Sequence, residues 1–247
     1  MIKLDAHSQA ILEEYRRNLP LFQTVCAHMT AQVRETLSAA GIVVAAVESR
    51  VKTEDSLAGK LELKGSKYAL LSDITDIVGM RIITFYPDDV DKVASAMERL
   101  FEVDWDNSVD KRKLHDLDSF GYLSLHYVCR TEEMPYRVEI QMRTLLQHAW
   151  ASMNHDTGYK SGVEIPKEYI RNMNRLAGML ELADEQFSRI RTELTDYRRR
   201  MQALVASGNL DDAPLDGDTF RSFLSMDPFF PLNRRIAAVN QAEIHEV

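Results

Sequence analysis

Residues 136–143, near the middle of the chain, alternate strictly between apolar and polar side chains. Because successive side chains on a β-strand point to opposite faces of the sheet, this pattern predicts a half-buried strand. One face would pack on the core, and the other would be either solvated or functional. The apolar face consists of Val138, Ile140 and Met142, and the polar face consists of Arg137, Glu139, Gln141 and Arg143.

A second strand of similar design is predicted at residues 122–130, joined to the first by the short turn at 132–135. Tyr122, Ser124 and His126 would share its polar face. A single histidine is more often a satisfied core group than a functional one. A histidine beside a carboxylate, an arginine and a tyrosine on one sheet face is a better candidate for a site.

Further elements surround this hairpin. Residues 78–86 are rich in β-branched and apolar residues and predict another strand, followed by a helix capped by Asp88 and Asp89. The N-terminal region has helical spacing, with an interruption at Pro20 and an end at Gly41. The chain up to residue 165 therefore mixes strands and helices.

A long helix is predicted from about residue 166 to residue 205, because apolar residues recur there at alternating steps of three and four. This heptad seam either packs on the N-terminal helices of the same chain or forms a subunit interface. A loop, a short helix near 220–226 and an aromatic stretch follow, so the predicted divisions are 1–165, 166–206 and 207–247. The seam consists of Met173, Leu176, Leu180, Ala183, Phe187, Ile190, Leu194, Tyr197, Met201 and Leu204.

Two carboxylates lie on or next to predicted strands and could belong to one site. Asp76 comes just before the strand at 78–86, and Glu139 lies within the strand at 136–143. Mg²⁺ prefers hard oxygen ligands and is commonly bound by one or two carboxylates together with substrate phosphates. Arg81, inside an apolar strand, needs a partner, which is either an acidic side chain or a phosphate. The two acidic residues therefore predict a magnesium site.

Basic residues concentrate between positions 50 and 64. Arg50 and Lys52 precede a helix that Thr53 or Ser56 can cap, and Lys60 lies on that helix. This spacing fits a solvated helix face as well as a phosphate clamp. The sequence has no P-loop, no dinucleotide-binding glycine motif and no cysteine–histidine cluster with zinc spacing. Phosphate chemistry would therefore depend on side-chain cations and Mg²⁺.

Charge and composition limit the class of protein. With 30 basic and 38 acidic residues, the net charge of −8 argues against a protein that coats nucleic acid through bulk charge. The sequence has no apolar run long enough for a membrane span, and its start does not resemble a signal peptide. Two cysteines far apart in sequence are typical of reduced core residues. We therefore expect a cytoplasmic protein that has no membrane partner.

Taken together, these motifs closely resemble the synthetase domain of the RelA/SpoT alarmone synthetase family over about residues 45–161. The resemblance implies an α+β fold, with a mixed β-sheet flanked by helices as in nucleotidyltransferases, followed here by the long C-terminal helix. It indicates a small member that lacks the hydrolase domain. The five motifs occur in the family's order: Arg50, Lys52, Ser56 and Lys60; Asp76, Gly79 and Arg81; Gly121, Tyr122, Ser124 and His126; Glu139, Gln141, Arg143 and Thr144; Trp150, His155, Tyr159 and Lys160.

The resemblance also implies a reaction, in which the β,γ-pyrophosphoryl group of ATP is transferred to the 3′-hydroxyl of GDP or GTP to make (p)ppGpp. Asp76 and Glu139 would be the catalytic residues and the ligands of Mg²⁺, and Glu139 would help to deprotonate the 3′-hydroxyl. Tyr122 would stack on the acceptor guanine. ATP would be bound by Arg50, Lys52, Ser56, Lys60 and Arg81, and the acceptor by Tyr122, His126, Gln141, Arg143, Lys111, Lys113 and Asn154.

The chain departs from the family pattern on the acceptor side, at Phe120, Leu123 and Asn154 and in the placement of Lys111 and Lys113. An alternative acceptor is therefore the 3′-CCA end of tRNA, as in toxin-like relatives. A second alternative is a non-catalytic nucleotide-binding regulator, against which the retention of both carboxylates argues. A homo-oligomer through the long helix and an antitoxin-like protein partner are further expectations. The arginines that could contact tRNA are Arg189, Arg191, Arg198, Arg199 and Arg200.

Overall fold

The computed structural model describes residues 4–112, 124–158, 167–207 and 216–225, together with positions 214, 235 and 239. Within these residues a six-stranded mixed sheet has the strand order β1-β2-β6-β5-β3, and β4 also pairs with β5. Strands β2 and β6 are parallel, and the other pairs are antiparallel. The strands are β1 (Ala46–Val51), β2 (Val78–Thr84), β3 (Glu102–Val103), β4 (Val109–Asp110), β5 (Leu125–Thr131) and β6 (Met134–Thr144).

Helices precede, interrupt and follow the strands, which confirms the predicted α+β fold class. The strand predicted at 78–86 and the two strands of the hairpin are present, with slightly different ends. The described α-helices are α1 (Ala6–Ala39), α2 (Glu54–Lys64), α3 (Pro87–Leu100), α4 (Leu145–Gly158), α5 (Lys167–Ala206) and α6 (Gly217–Ser225).

Helix α1 continues through Pro20, so the predicted interruption is wrong. Pro20 lies on the exposed side of the helix, where water can replace the hydrogen bond that proline cannot donate. On the other side the apolar stripe stays in register: Phe22 is fully buried, stacks on Tyr15 and meets the ring of Tyr136 of β6 edge-on. This packing offsets the local cost of proline. The helix ends as predicted at Gly41, whose φ of +64° favours glycine.

Helix α3 is present where the sequence predicted it, but it starts earlier. Tyr86 is the N-cap residue and Pro87 occupies the first turn. Asp88 and Asp89 therefore lie inside the first turn and do not cap the helix. There they still interact favourably with the positive end of the helix dipole.

The pairing register gives the sheet two different faces. Gly79 and Arg81 of β2 lie beside Glu139 and Gln141 of β6, and His126 of β5 lies beside Gln141. Neighbouring residues on paired strands share a face, so these five positions form one polar surface. The opposite face, which carries the predicted apolar residues of β6, belongs to a single buried core with α1 and α3. The predicted alternation of β6 is confirmed.

The chain divides into two compact units, Met1–Gln186 and Phe187–Val247, and the division falls inside α5. The first unit contains the whole described sheet. The predicted domain limits at residues 165 and 206 stay predictions. No helix in the described residues is long and apolar enough to cross a membrane.

Helix α5 agrees with the predicted long helix to within about a residue at each end. Four positions of its heptad seam are substantially exposed in the described chain: Leu176 (49%), Phe187 (55%), Ile190 (48%) and Leu194 (45%). Met201 and Val205, farther along, are buried. Packing of this seam on the N-terminal helices and a subunit interface at this surface both stay predictions.

A buried carboxyl group connects α5 to the end of β6. Asp184 is 3% exposed, and Thr144 Oγ1 donates a hydrogen bond of 2.5 Å to its Oδ2. Burial raises the pKa of Asp184 to about 6, although this hydrogen bond acts in the opposite direction. Because the folded pKa is higher than that of the unfolded chain, the folded state binds this proton more tightly. The resulting stability is present at low pH and is lost as the pH rises through about 6.

We expect Asp184→Asn to raise the free energy of unfolding at pH 8 by about 2 to 3 kcal/mol and to change it little at pH 4. Asparagine keeps an acceptor for Thr144 but cannot ionise. Urea unfolding at both pH values measures the difference. Asp196→Asn, an exposed position on the same helix, is the matched control. An equal change at both pH values would contradict the expectation.

Candidate active site

Asp76, just before β2, accepts hydrogen bonds from two lysines. Lys52 Nζ lies 2.7 Å from Oδ2, and Lys60 Nζ lies 2.8 Å from Oδ1. Lys52 follows β1 directly, and Lys60 projects from α2, whose first turn is capped by the side chain of Thr53. The turn between β1 and α2 therefore aims both ammonium groups at one carboxylate.

These contacts affect the pKa values of Asp76 and Lys60. Burial raises the pKa of Asp76, but the hydrogen bonds and charges of Lys52 and Lys60 outweigh it, so the pKa lies below its usual value. For Lys60, burial lowers the pKa, and the contacts with Asp76 and Tyr68 more than compensate. Both the carboxylate and the ammonium group therefore stay ionised at neutral pH.

Glu139 is held from two sides on the polar face of β6. His126 Nδ1 lies 3.1 Å from its Oε1, and Gln141 Nε2 donates a hydrogen bond of 2.9 Å to its Oε2. Burial and repulsion from Asp76 raise the pKa of Glu139. The contacts with His126 and Gln141 have the larger, opposite effect, so the pKa lies below its usual value. Glu139 is therefore an oriented carboxylate.

Asp76 and Glu139 line the same cleft, which has a volume of about 290 Å³. Gly79 also lines this cleft, and a Cβ added there would meet no atom within 4 Å, so its missing side chain leaves the cleft open. The cleft combines three carboxylates with two guanidinium groups, a composition suited to a polyphosphate and a hard metal ion. The other residues that line it are Glu48, Ser49, Arg50, Met80, Arg81 and Gln141.

The structure thus brings the central predicted residues together. Asp76, Glu139, Arg50, Arg81 and Gln141 line the cleft directly. Lys52, Lys60 and His126 join it through their contacts with the two carboxylates.

Sequence reasoning missed Glu48, which lines the cleft opposite Arg81 with 3.9 Å between the carboxylate and the guanidinium group. The available signal was its position two residues before Arg50, which places both side chains on one face of β1.

Arg143 and His148 form a second contact that the sequence did not reveal. Arg143 continues the polar face of β6, is 4% exposed, and donates a hydrogen bond of 2.9 Å from Nη2 to His148 Nδ1. His148 lies in the first turn of α4. Burial and the charges of Arg143 and Arg81 lower the pKa of His148, and Glu48 opposes this shift. The imidazole is therefore neutral at neutral pH.

Backbone hydrogen bonds place two further predicted residues, Ser56 and Lys111. The backbone N–H of Ser56 donates to Thr53 Oγ1 at 3.3 Å, and the Thr53 hydroxyl donates to Ser56 Oγ at 2.8 Å. Ser56 thus belongs to the cap of α2. The backbone N–H of Lys111 donates to the carbonyl oxygen of Ser124 at 3.0 Å, which places Lys111 beside the start of β5.

The other residues predicted to bind the acceptor are not placed in the cleft in the part of the chain that the structure describes. Asn154 lines a separate cavity of about 400 Å³ between α4 and α5, together with Trp150 and Tyr169. Tyr122 and Lys113 lie outside the described residues. The proposed roles of these three residues therefore stay predictions.

The donor set of the cleft fits Mg²⁺. Two carboxylates face one space, and every one of their four oxygen atoms accepts from Lys52, Lys60, His126 or Gln141. Among the described residues no cluster of three acidic, histidine or cysteine side chains forms a complete metal site. A magnesium ion would therefore need further ligands from substrate phosphates and water, as is common for this metal.

The fold is that of the small alarmone synthetases. The crystal structure of small alarmone synthetase 1 from Bacillus subtilis matches with a TM-score of 0.63 at 24% sequence identity, over 74% of this chain and 99% of that chain. A GTP pyrophosphokinase family protein from Streptococcus pneumoniae matches with a TM-score of 0.64 at 24% identity, over 74% of this chain and 96% of the other.

The chain belongs to the RelA/SpoT family. Residues 49–164 match the family model for the region found in RelA / SpoT proteins. The GTP pyrophosphokinase YjbM of Bacillus subtilis is 31% identical over 157 residues, which cover 61% of this chain and 73% of that protein. The GTP pyrophosphokinase YwaC of the same organism is 29% identical over 161 residues, which cover 60% and 73%. The predicted family is confirmed.

Proposed function

We propose that this chain is an ATP-dependent pyrophosphokinase that transfers the β,γ-pyrophosphoryl group of ATP to the 3′-hydroxyl of GDP or GTP and so makes (p)ppGpp. The observation that carries the proposal is the convergence of Asp76 and Glu139 on one cleft that is also lined by Arg50 and Arg81. The names of the relatives YjbM and YwaC, both GTP pyrophosphokinases, support the reaction type.

On the donor side, the cations bind and orient the phosphates of ATP. Transfer of a phosphoryl-type group needs positioning and charge neutralisation more than covalent chemistry. The ammonium groups of Lys52 and Lys60 converge on Asp76. When ATP is bound, its phosphates can accept hydrogen bonds from these two groups in place of Asp76. Arg50 and Arg81 supply forked donors that match phosphate oxygens.

Asp76 and Glu139 would hold Mg²⁺, which when bound neutralises charge on the phosphates. Glu139 is ionised, and its hydrogen bonds to His126 and Gln141 fix the direction of its oxygens. This oriented carboxylate accepts the proton of the attacking 3′-hydroxyl, or holds that hydroxyl in place.

On the acceptor side, His126, Gln141 and Arg143 position the nucleotide from the polar face of β5 and β6. Tyr122 stacks on the guanine. The proposed contacts with the acceptor also include Lys111, Lys113 and Asn154. On the donor side, the proposed contacts with ATP also include Ser56.

A guanosine nucleotide is favoured over tRNA as the acceptor. The arginines of α5 that could contact tRNA lie near acidic side chains: Arg189 is 3.7 Å from Glu193, and Arg199 is 3.4 Å from Asp196. These neighbours reduce the positive potential that attracts a nucleic-acid backbone.

The test is a transfer assay with purified protein, Mg²⁺ and ATP labelled at the γ-phosphate. GDP, GTP and deacylated tRNA are offered in parallel, and the products are separated by chromatography and gel electrophoresis. We expect label on GDP or GTP. Label on tRNA alone would replace the proposed acceptor, and label on none of them, with ATP still bound, would favour the regulator.

A further inference from the structure

The Arg143–His148 contact links β6 to α4 at one end of the polar face. A guanidinium group only donates hydrogen bonds, so His148 Nδ1 must be unprotonated to accept from Arg143 Nη2 at 2.9 Å. The contact therefore exists only with the neutral imidazole. Arg143 itself is 4% exposed, so neighbouring protein groups such as His148, and not bulk water, set the position of its guanidinium group.

The charges that face His148 oppose its protonation. They come from Arg143 on β6, Arg81 on β2 and Glu48 on β1, which amount to two positive charges and one negative charge. Glu48 and Arg81 also line the cleft of Asp76 and Glu139. His148 therefore interacts electrostatically with two residues that line the cleft, although it lies on α4.

The first turn of α4 is fixed firmly to β6. The backbone N–H of Thr144 donates to Gln147 Oε1 at 2.9 Å, and the backbone N–H of Gln147 donates to Thr144 Oγ1 at 3.1 Å. The same Thr144 hydroxyl donates to the buried Asp184 of α5. These reciprocal bonds set the position of His148 relative to Arg143, which lies beside Thr144 in sequence.

We propose that His148 is a positioning residue whose neutral imidazole holds the Arg143 guanidinium group against the phosphate of the bound acceptor nucleotide. Protonation of His148 removes the acceptor atom and adds a third positive charge, so Arg143 leaves that position. The inference rests on the proposed function, since it assigns Arg143 to the acceptor. It adds a residue on α4 and a pH dependence to that function.

The experiment compares His148→Asn, His148→Ala and the control Ser152→Ala, an exposed position on α4. The amide oxygen of asparagine can occupy the place of Nδ1 but does not titrate in this range. At pH 8 we expect His148→Ala to raise the KM and the Kd for GDP by about tenfold with little change in kcat, as lost ground-state binding does. His148→Asn should stay within about threefold of the wild type.

The pH profile separates positioning from a structural role. In the wild type, affinity for GDP should fall on the acid side as His148 becomes protonated, and His148→Asn should lack this fall. Equal losses in the Asn and Ala variants, or the same acid fall in His148→Asn, would overturn the proposal. So would an unchanged Kd in His148→Ala.

Measurement of GDP binding by calorimetry does not depend on catalytic turnover. The role of His148 is therefore tested separately from the proposed reaction. A wild type that binds GDP but transfers no label to GDP or GTP contradicts the proposed reaction, while the Kd values of the variants still decide the role of His148. A wild type that does not bind GDP overturns the role of His148 as well.

Discussion

Glu139→Gln is expected to reduce pyrophosphoryl transfer on the order of 10³-fold, a loss typical for removal of a general base. The amide has nearly the same shape but carries no negative charge and cannot accept the proton of the attacking hydroxyl. It also cannot serve as a carboxylate ligand for Mg²⁺. The measurement is initial-rate transfer from labelled ATP to GDP.

The fold should tolerate this change. Glutamine keeps an acceptor for one of the two groups that contact Glu139, and removing a buried charge offsets part of the lost hydrogen bonding. We expect the melting temperature to stay within about 2 °C. Glu133→Gln, at the turn that joins β5 to β6, is the matched control and should remain fully active. Near-normal turnover of Glu139→Gln would remove Glu139 from the mechanism.

The alternation of residues 136–143 predicted which side chains share a face because the period of two leaves no freedom within a strand. The polar faces of β5 and β6 could therefore be combined into one surface before any distance was known. Placing Asp76 and Glu139 together also needed the parallel pairing of β2 with β6, which the residues alone do not specify. The family resemblance implied a mixed sheet and a metal site shared by Asp76 and Glu139, and in the structure the parallel register places Gly79 beside Glu139.

Other features of the structure could not be predicted from the sequence pattern, for physical reasons. Strands β3 and β4 contain two residues each, so they are too short to carry a periodicity. Pro20 has a strong local preference that distant packing overrides. Glu48 contacts Arg81, and His148 contacts Arg143, in each case on another strand or helix. The spacing of residues in the sequence indicates neither contact.

The double variant Lys52→Met/Lys60→Met is expected to affect activity and stability together, since both lysines bind the same carboxylate. Each charge-assisted hydrogen bond to a phosphate contributes about 1.5 to 3 kcal/mol, so loss of two should reduce kcat/KM for ATP by on the order of 10³-fold. Lys64→Met, one turn beyond Lys60 on α2 and exposed, is the control. A double variant that binds ATP as the control does would show that the two lysines do not contact ATP.

The effect on stability follows from the charge of Asp76. In the wild type the folded pKa of Asp76 is depressed, so its ionisation stabilises the fold above its usual pKa, and this contribution is lost as the pH falls. Without the two lysines burial dominates and the pKa moves above its usual value. The sign of the contribution then reverses. We expect a loss of about 3 kcal/mol at pH 8, as for a broken buried ion pair, and a smaller loss near pH 5.

A third substitution makes this argument specific to the carboxylate. Adding Asp76→Asn to the double variant removes the uncompensated charge, so the free energy of unfolding at pH 8 should recover while transfer stays impaired. Urea unfolding and the labelled-ATP assay on the same preparations separate the two quantities. Stability that does not recover would mean that the methylene stems of Lys52 and Lys60 contribute by packing, independently of the charge on Asp76.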